Sequence, residues 1–281
     1  MSISKKPSII KYIKDNFSQK INKIFTREKF SLNLLDHPPT NTNKINSFLE
    51  EKFIHLDKLD KKKINLFKLE LNRILNSKNL NIGSDKSVYK QLHQSTSFNI
   101  DSEMLKFALD EKILNILINY FKTRCILYDV RVIESYSNDD LIQRDQLWHR
   151  DKYDTKSVRL WVKLSETSKD DGPTMIIPYK YSKKMIKTHF MRVDDAYISK
   201  HLDNKKIISL TGNKGDVSLI DVHKLVHCGS RIRKGRKRYV FNAIYTSSKP
   251  WMRPTFNENL RKKLLMSKNL SFLQKSFLRY N

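Results

Sequence analysis

Two histidines and one aspartate are the residues of this chain best placed to do chemistry. The stretch Gln146-Leu147-Trp148-His149-Arg150-Asp151 carries an imidazole and a carboxylate two residues apart, and in an extended strand such residues project to the same side. His149 and Asp151 can therefore share one ligand. A further histidine, His227, closes the run Asp221-Val222-His223-Lys224-Leu225-Val226-His227 from a distant part of the chain. Two imidazoles and a carboxylate on one face of a metal form the donor set of non-haem Fe(II), which leaves coordination positions open. A bare His-x-Asp is weak evidence, since the same pair occurs at ordinary polar strand ends. Three neighbouring features strengthen it: the apolar approach Leu147-Trp148, the Gly215-Asp216 that opens the strand leading to His227, and Arg238 eleven residues further on.

Other candidates fall away on spacing. His223 and His227 stand four apart, as in a zinc-peptidase helix, but Lys224 occupies the position where that motif has its catalytic glutamate. His223 reads as a loop residue. Cys228 follows His227 directly, so in a strand it points the other way and is structural. Trp148 and Trp161 are candidates to line the site, although a buried tryptophan is more often core.

A site of this kind needs strands to hold it, and the middle of the chain supplies them. From Arg124 the apolar pattern shifts toward a period of two, in Cys125 to Ser135 and more cleanly in Val158-Arg159-Leu160-Trp161-Val162-Lys163-Leu164. Short apolar runs follow at 175–178, 207–210, 217–222 and 239–245, separated by turns at Lys169-Asp170-Asp171-Gly172-Pro173 and Gly212-Asn213-Lys214-Gly215-Asp216. Many short strands at this spacing predict an antiparallel sandwich or barrel.

Around that core the period is helical. Residues 1–122 read mainly as helix, with Ile64, Phe67, Leu71 and Ile74 striping one face of Lys61 to Ser77. Asp101 is the expected N-cap of a single helix from Ser102 to Lys122. Turns are expected at 36–41 and 81–84, a partly helical insertion at about 182–203, and helix again from about 257 to 278. No repeat or linker divides the chain. The expectation is one catalytic domain, 1–281: a mainly helical region 1–122, a β core 123–248 and a helical segment 249–281.

Composition narrows the classes. The 281 residues include only two cysteines, Cys125 and Cys228, too few for a disulfide framework or a cysteine-rich zinc site, which points to a reducing compartment. No run reaches the roughly 20 apolar residues of a membrane span, and Met1 to Phe25 has no signal-peptide pattern, so the expected location is cytoplasmic. The net charge of +26 would suit a polyanionic partner. Most of the excess, however, is lysine dispersed among asparagine and isoleucine. One cluster stands apart, with six cations in the eight residues from Arg231 to Arg238.

The segment from about Cys125 to Thr246 resembles the phytanoyl-CoA dioxygenase-like family of Fe(II)- and 2-oxoglutarate-dependent oxygenases. The resemblance rests on QLWHRD at 146–151, VRLWVKLSE at 158–166, DDGPTMIIP at 170–178, and GDVSLIDVHKLVHCGS at 215–230 with Arg238 following. It implies an α+β protein with a double-stranded β-helix, or jelly-roll, flanked by helices. It also implies His149, Asp151 and His227 as iron ligands and Arg238 as the partner of the distal carboxylate of 2-oxoglutarate, a role that suits a planar, permanently charged fork. Arg236 is the competitor if the register slips. Trp161 joins the cosubstrate contacts, and on the first core strand the candidates are Asp129, Arg131 and Ile133, with Arg131 foremost. Pro178-Tyr179-Lys180-Tyr181 departs from the Pro-Gly-Ser-His of many members and so alters the rim. An intact Asp151 favours hydroxylation over halogenation, for which relatives replace this carboxylate by a small residue.

The implied reaction is oxidation of a small organic substrate by O2, with 2-oxoglutarate converted to succinate and CO2. The Arg231 to Arg238 cluster suggests a substrate that is anionic or carrier-bound. Two alternatives remain open at the level of sequence: a dioxygenase acting on nucleic acid, and a basic nucleic-acid-binding protein without catalysis.

Overall fold

The computed structural model describes residues 42–77, 89–94, 98–137, 142, 144–185, 192–229 and 231–280. The expected turns at 36–41 and 81–84, the first 25 residues and part of the 182–203 insertion lie outside these residues. A six-stranded antiparallel sheet is built from β1 (Phe53–Leu56), β2 (Tyr89–Gln94), β3 (Cys125–Tyr136), β4 (Ser157–Lys163), β7 (Val217–Asp221) and β9 (Lys237–Ser247), in the order β1-β7-β4-β9-β3-β2. A smaller sheet runs β6 (Ile208–Ser209), β5 (Met175–Ile176), β8 (His227–Cys228). It is extended by His149, which pairs with His227, and Trp148, which pairs with Val193. The chain thus forms a β core of two antiparallel sheets flanked by helices, as expected.

The alternation of β4 explains how the large sheet is used. Val158, Leu160 and Val162 are fully buried in the main apolar cluster, whereas Arg159 and Trp161 project from the opposite face into a cavity. The register carries this division across the sheet, because Trp161 opposes Asn242, and Asn242 opposes Arg131. On β3 the period is broken. Leu127 and Val130 are three apart yet share the apolar face, since the pairing with β9 shifts between Leu127 and Asp129. This bulge turns Asp129 and Arg131 inward.

Helices cover the apolar face: α1 (Thr42–Glu51), α2 (Lys61–Leu75), α3 (Glu103–Ala108) and α4 (Glu111–Phe121) before the core, α7 (Glu258–Met266) and α8 (Phe272–Ser276) after it. Between these come α5 (Tyr179–Met185) and α6 (Asp195–His201), so the 182–203 insertion is partly helical. The single helix expected over Ser102 to Lys122 is in fact two. The Asp110 carboxylate accepts from Lys112 N and starts a new helix, after the Leu109 N–H has closed the first by bonding to Leu105 O and Lys106 O. The N-cap of the first is Ser102, whose hydroxyl accepts from Leu105 N, and not Asp101. Two strands also come from the segment read as helical: β1 and β2 are the sheet's outer members. At four and six residues they are too short to display a period.

Candidate metal centre and cavity

His149 and His227 stand directly opposite each other in antiparallel pairing, each amide bonding the other's carbonyl at 2.9 Å. Opposed residues share a face, so both imidazoles rise from the same spot, with ring centroids 4.4 Å apart. Asp151 joins them because its amide bonds Val222 O at 2.9 Å. His149 Nε2 lies 3.5 Å from Asp151 Oδ1, and His227 Nε2 lies 3.9 Å from the same oxygen. One donor atom from each residue falls within 4.8 Å of the other two.

The second nitrogen of each ring is already committed. His149 Nδ1 is 2.7 Å from Leu147 O and His227 Nδ1 is 3.1 Å from Leu225 O. A carbonyl can only accept, so each Nδ1 carries the proton and each Nε2 keeps its lone pair for a metal. Burial, reinforced by the neighbouring His149, lowers the pKa of His227 to about 3, which keeps this ring neutral. Burial would raise the Asp151 carboxyl, but Arg159 and the two histidines outweigh it and hold the group ionised well below the usual range. Arg159 bonds Asp151 Oδ2, leaving Oδ1 toward the imidazoles. Two imidazole nitrogens and one monodentate carboxylate fit a divalent metal.

The triad opens on a cavity of about 330 Å3 that the other expected residues also line: Arg131, Trp161 and Arg238. Arg238 is 7% exposed, donates to Gly172 O at 2.5 Å, and is brought down to about 10 by burial. The competitor Arg236 is half exposed and pairs outside with Asp171 at 2.8 Å. The first-strand candidates separate as well: Arg131 Nε bonds Asp129 Oδ2 at 2.6 Å, so Asp129 braces Arg131 from behind while Arg131 and Ile133 face the cavity. Trp148 does not line it. Its indole is buried in a second apolar cluster, donates to Asp195 Oδ1 at 2.7 Å and lies under Arg231. Cys228 packs into the same cluster, its thiol pushed up to about 12 by burial. His223 sits beside the triad, with Nδ1 3.2 Å from the Asp151 carbonyl.

Sequence reasoning missed Arg159, although the signal was present: it stands two residues before Trp161 and must share its face. The Arg231 to Arg238 cluster also differs from the expectation of an anion-binding loop. Arg231 is bound to Asp195, Arg233 to Asp170 and Arg236 to Asp171, so these cations fasten neighbouring loops. Of the cluster, Arg238 lines the cavity, and the rest of its positive lining comes from Arg131 and Arg159 on the core strands, with Arg150, Lys152 and Arg192 nearer the metal segment.

Fold and triad together resemble those of the non-haem iron, 2-oxoglutarate-dependent oxygenases. Residues 139–239 match the family model of phytanoyl-CoA dioxygenase (PhyH). Among solved structures, EctD from S. alaskensis in its apoform is 15% identical with a TM-score of 0.58, covering 78% of this chain and 81% of that one. The carbocyclase SnoK of nogalamycin biosynthesis, described as non-haem and alpha-ketoglutarate dependent, is 14% identical with a TM-score of 0.56, covering 78% and 89%. HygX from Streptomyces hygroscopicus, solved with nickel, 2-oxoglutarate and hygromycin B bound, is 12% identical with a TM-score of 0.52, covering 75% and 88%. Identities this low establish the fold and do not transfer a substrate. No curated protein matches the chain. Among the described residues, no helix is long and apolar enough to cross a membrane.

Proposed function

We propose that the chain is a dioxygenase that hydroxylates a small anionic organic substrate, with His149, Asp151 and His227 holding Fe(II) and with Arg238, Trp161 and Arg131 binding 2-oxoglutarate. The observation that carries this reading is the convergence of two histidine nitrogens and one carboxylate oxygen within 4.8 Å of one another, in the same cavity as a buried arginine. When bound, the iron and its cosubstrate supply an oxidant from O2, with release of succinate and CO2.

The chain's own contribution is position and charge. The carbonyls of Leu147 and Leu225 fix the histidine tautomers, and Arg159 restrains Asp151 so that one oxygen serves the metal. Arg238 offers a planar fork to the distal carboxylate of the cosubstrate. The cationic lining attracts a dianionic cosubstrate, and Arg150 and Lys152 leave positive potential for a negatively charged substrate beside it. The β core 123–248 and its flanking helices act as one catalytic domain in this reading. The alternatives that rest on nucleic acid draw no support from Arg231, Arg233 and Arg236, since acids of this chain pair with all three.

The test is succinate formation from 2-oxoglutarate by protein loaded anaerobically with Fe(II) and then exposed to air. Turnover in the native chain, lost in both His149→Ala and Arg238→Ala, is the expected result. Absence of turnover, together with absence of 2-oxoglutarate binding to the Fe(II) protein, overturns it.

A further inference from the structure

One row of the cavity floor crosses three neighbouring strands. Trp161 on β4 opposes Asn242 on β9, which opposes Arg131 on β3, and all three line the cavity. Asn242 is 1% exposed, yet neither its Oδ1 nor its Nδ2 has a hydrogen-bond partner, and the buried Nε1 of Trp161 has none either. Buried amides and indoles in folded proteins are almost always paired, because leaving them unpaired costs free energy. Asn242 has apolar Val240 and Ile244 two residues away on its own face, so an aliphatic side chain would fit its surroundings better in the empty protein. The polar atoms make sense when something enters the cavity.

Their chemistry specifies what enters. Indole N–H is a donor only, and a primary amide supplies two N–H donors whichever way round its terminal atoms are placed. Two adjacent donors in a row that ends on Arg131 suit an acceptor-only group, a carboxylate. The position agrees. Asn242 is two residues from Ile244, which opposes the Asp151-bound Arg159, and four from Arg238, or about 7 Å and 14 Å along the strand. The row therefore lies between the metal-holding residues and the deep arginine, along the path of a ligand that reaches both.

We propose that Asn242 Nδ2 and Trp161 Nε1 form a neutral donor pair that seats a carboxylate of the bound 2-oxoglutarate, and that Asn242 is a positioning residue of this enzyme. The proposal rests on the cosubstrate assigned above. Arg238 supplies charge, and the Asn242–Trp161 pair supplies direction. The amide oxygen of Asn242 has Arg131, its register neighbour, as the adjacent source of N–H donors.

The experiment titrates 2-oxoglutarate anaerobically into the Fe(II)-loaded full chain by calorimetry, alongside thermal unfolding of the same proteins without metal or ligand. Asn242→Leu is expected to raise the Kd about tenfold or more, the usual effect of losing a hydrogen bond to a charged group. Asn242→Asp, which sets a like charge against the carboxylate, raises it further. The unliganded Asn242→Leu protein is expected to melt no lower than the native chain, because the amide it lacks had no partner. Native affinity in Asn242→Leu overturns the proposal, and so does a loss of affinity matched by a lower melting temperature without ligand. If Asn242→Leu fails to fold, Trp161→Phe decides the matter: it keeps an aromatic ring while removing the N–H together with part of the indole, and an unchanged Kd overturns the seat. A native chain that binds no 2-oxoglutarate overturns the broader functional reading, whereas native binding with indifferent variants overturns the seat alone.

Discussion

The two faces of the large sheet are made by the same strands and obey different rules. The face toward the helices holds Val130, Val132, Val158, Leu160, Leu219, Phe241 and Ala243, every one with no exposure. The face toward the cavity holds Asp129, Arg131, Arg159, Trp161, Arg238 and Asn242, also largely buried but polar. Burial alone does not separate them, and their chemistry does. Apolar burial contributes to folding directly. A buried arginine or amide costs stability unless it is paired, so the inner face bears a cost that a ligand offsets. The helix-covered face specifies the fold, and the cavity face specifies what the fold holds.

This contrast can be broken from either side. The largest effect belongs to the triad: Asp151→Ala is expected to abolish Fe(II)-dependent 2-oxoglutarate turnover while the far-ultraviolet circular dichroism stays native. A coupled loss of structure would mean that the inner face also carries the fold. On the outer face, Leu160→Ala is expected to cost about 2–5 kcal/mol in denaturant unfolding, with kcat of the surviving folded protein little changed. Arg159→Gln comes next. Losing the brace on Asp151 Oδ2 should weaken Fe(II) binding about 10- to 100-fold, read by metal titration, with a much smaller change in thermal stability. The smallest effect lies at the rim. Burial works to raise the Asp171 carboxyl, but the hydrogen bonds from Arg236 and Ser168 hold it at about 2. A carboxylate depressed in the folded state contributes stability that is full above its ordinary pKa of 3.8 and lost as pH falls toward 2. Comparing the native chain with Asp171→Asn between pH 5 and pH 2.5 should show a difference that shrinks with acid. Since Arg236 is solvent-exposed, that difference should not exceed about 1 kcal/mol.

Parts of this design were legible in the residues. A two-residue spacing is direct information about a strand face, which is why His149 and Asp151, and the alternation of β4, could be read in advance. The same rule applied to Trp161 would have found Arg159. Features set by pairing were not legible. The bulge on β3 breaks the period, so which face Asp129 and Arg131 share depends on the register with β9. The break at Asp110 was hidden because the apolar stripe runs on through both helices, and the capping carboxylate is a local competitor that a periodicity does not report. The Arg231 to Arg238 cluster misled for another reason. Its partners Asp170, Asp171 and Asp195 lie 36 to 65 residues away in sequence, and a count of charges along the chain does not include them.

The reciprocal amide pairing of His149 with His227 also has a temporal meaning. The two imidazoles are 78 residues apart in sequence, and only long-range pairing brings them together: β8 is two residues long and is fixed by β5 on one side and by His149 on the other. A chain emerging from the ribosome presents His149 and Asp151 long before the second imidazole exists. Until the later strands have paired, the nascent protein would offer a metal only two of the three proposed ligands. In the function proposed above, the site that would hold the metal is therefore complete only once both sheets have assembled.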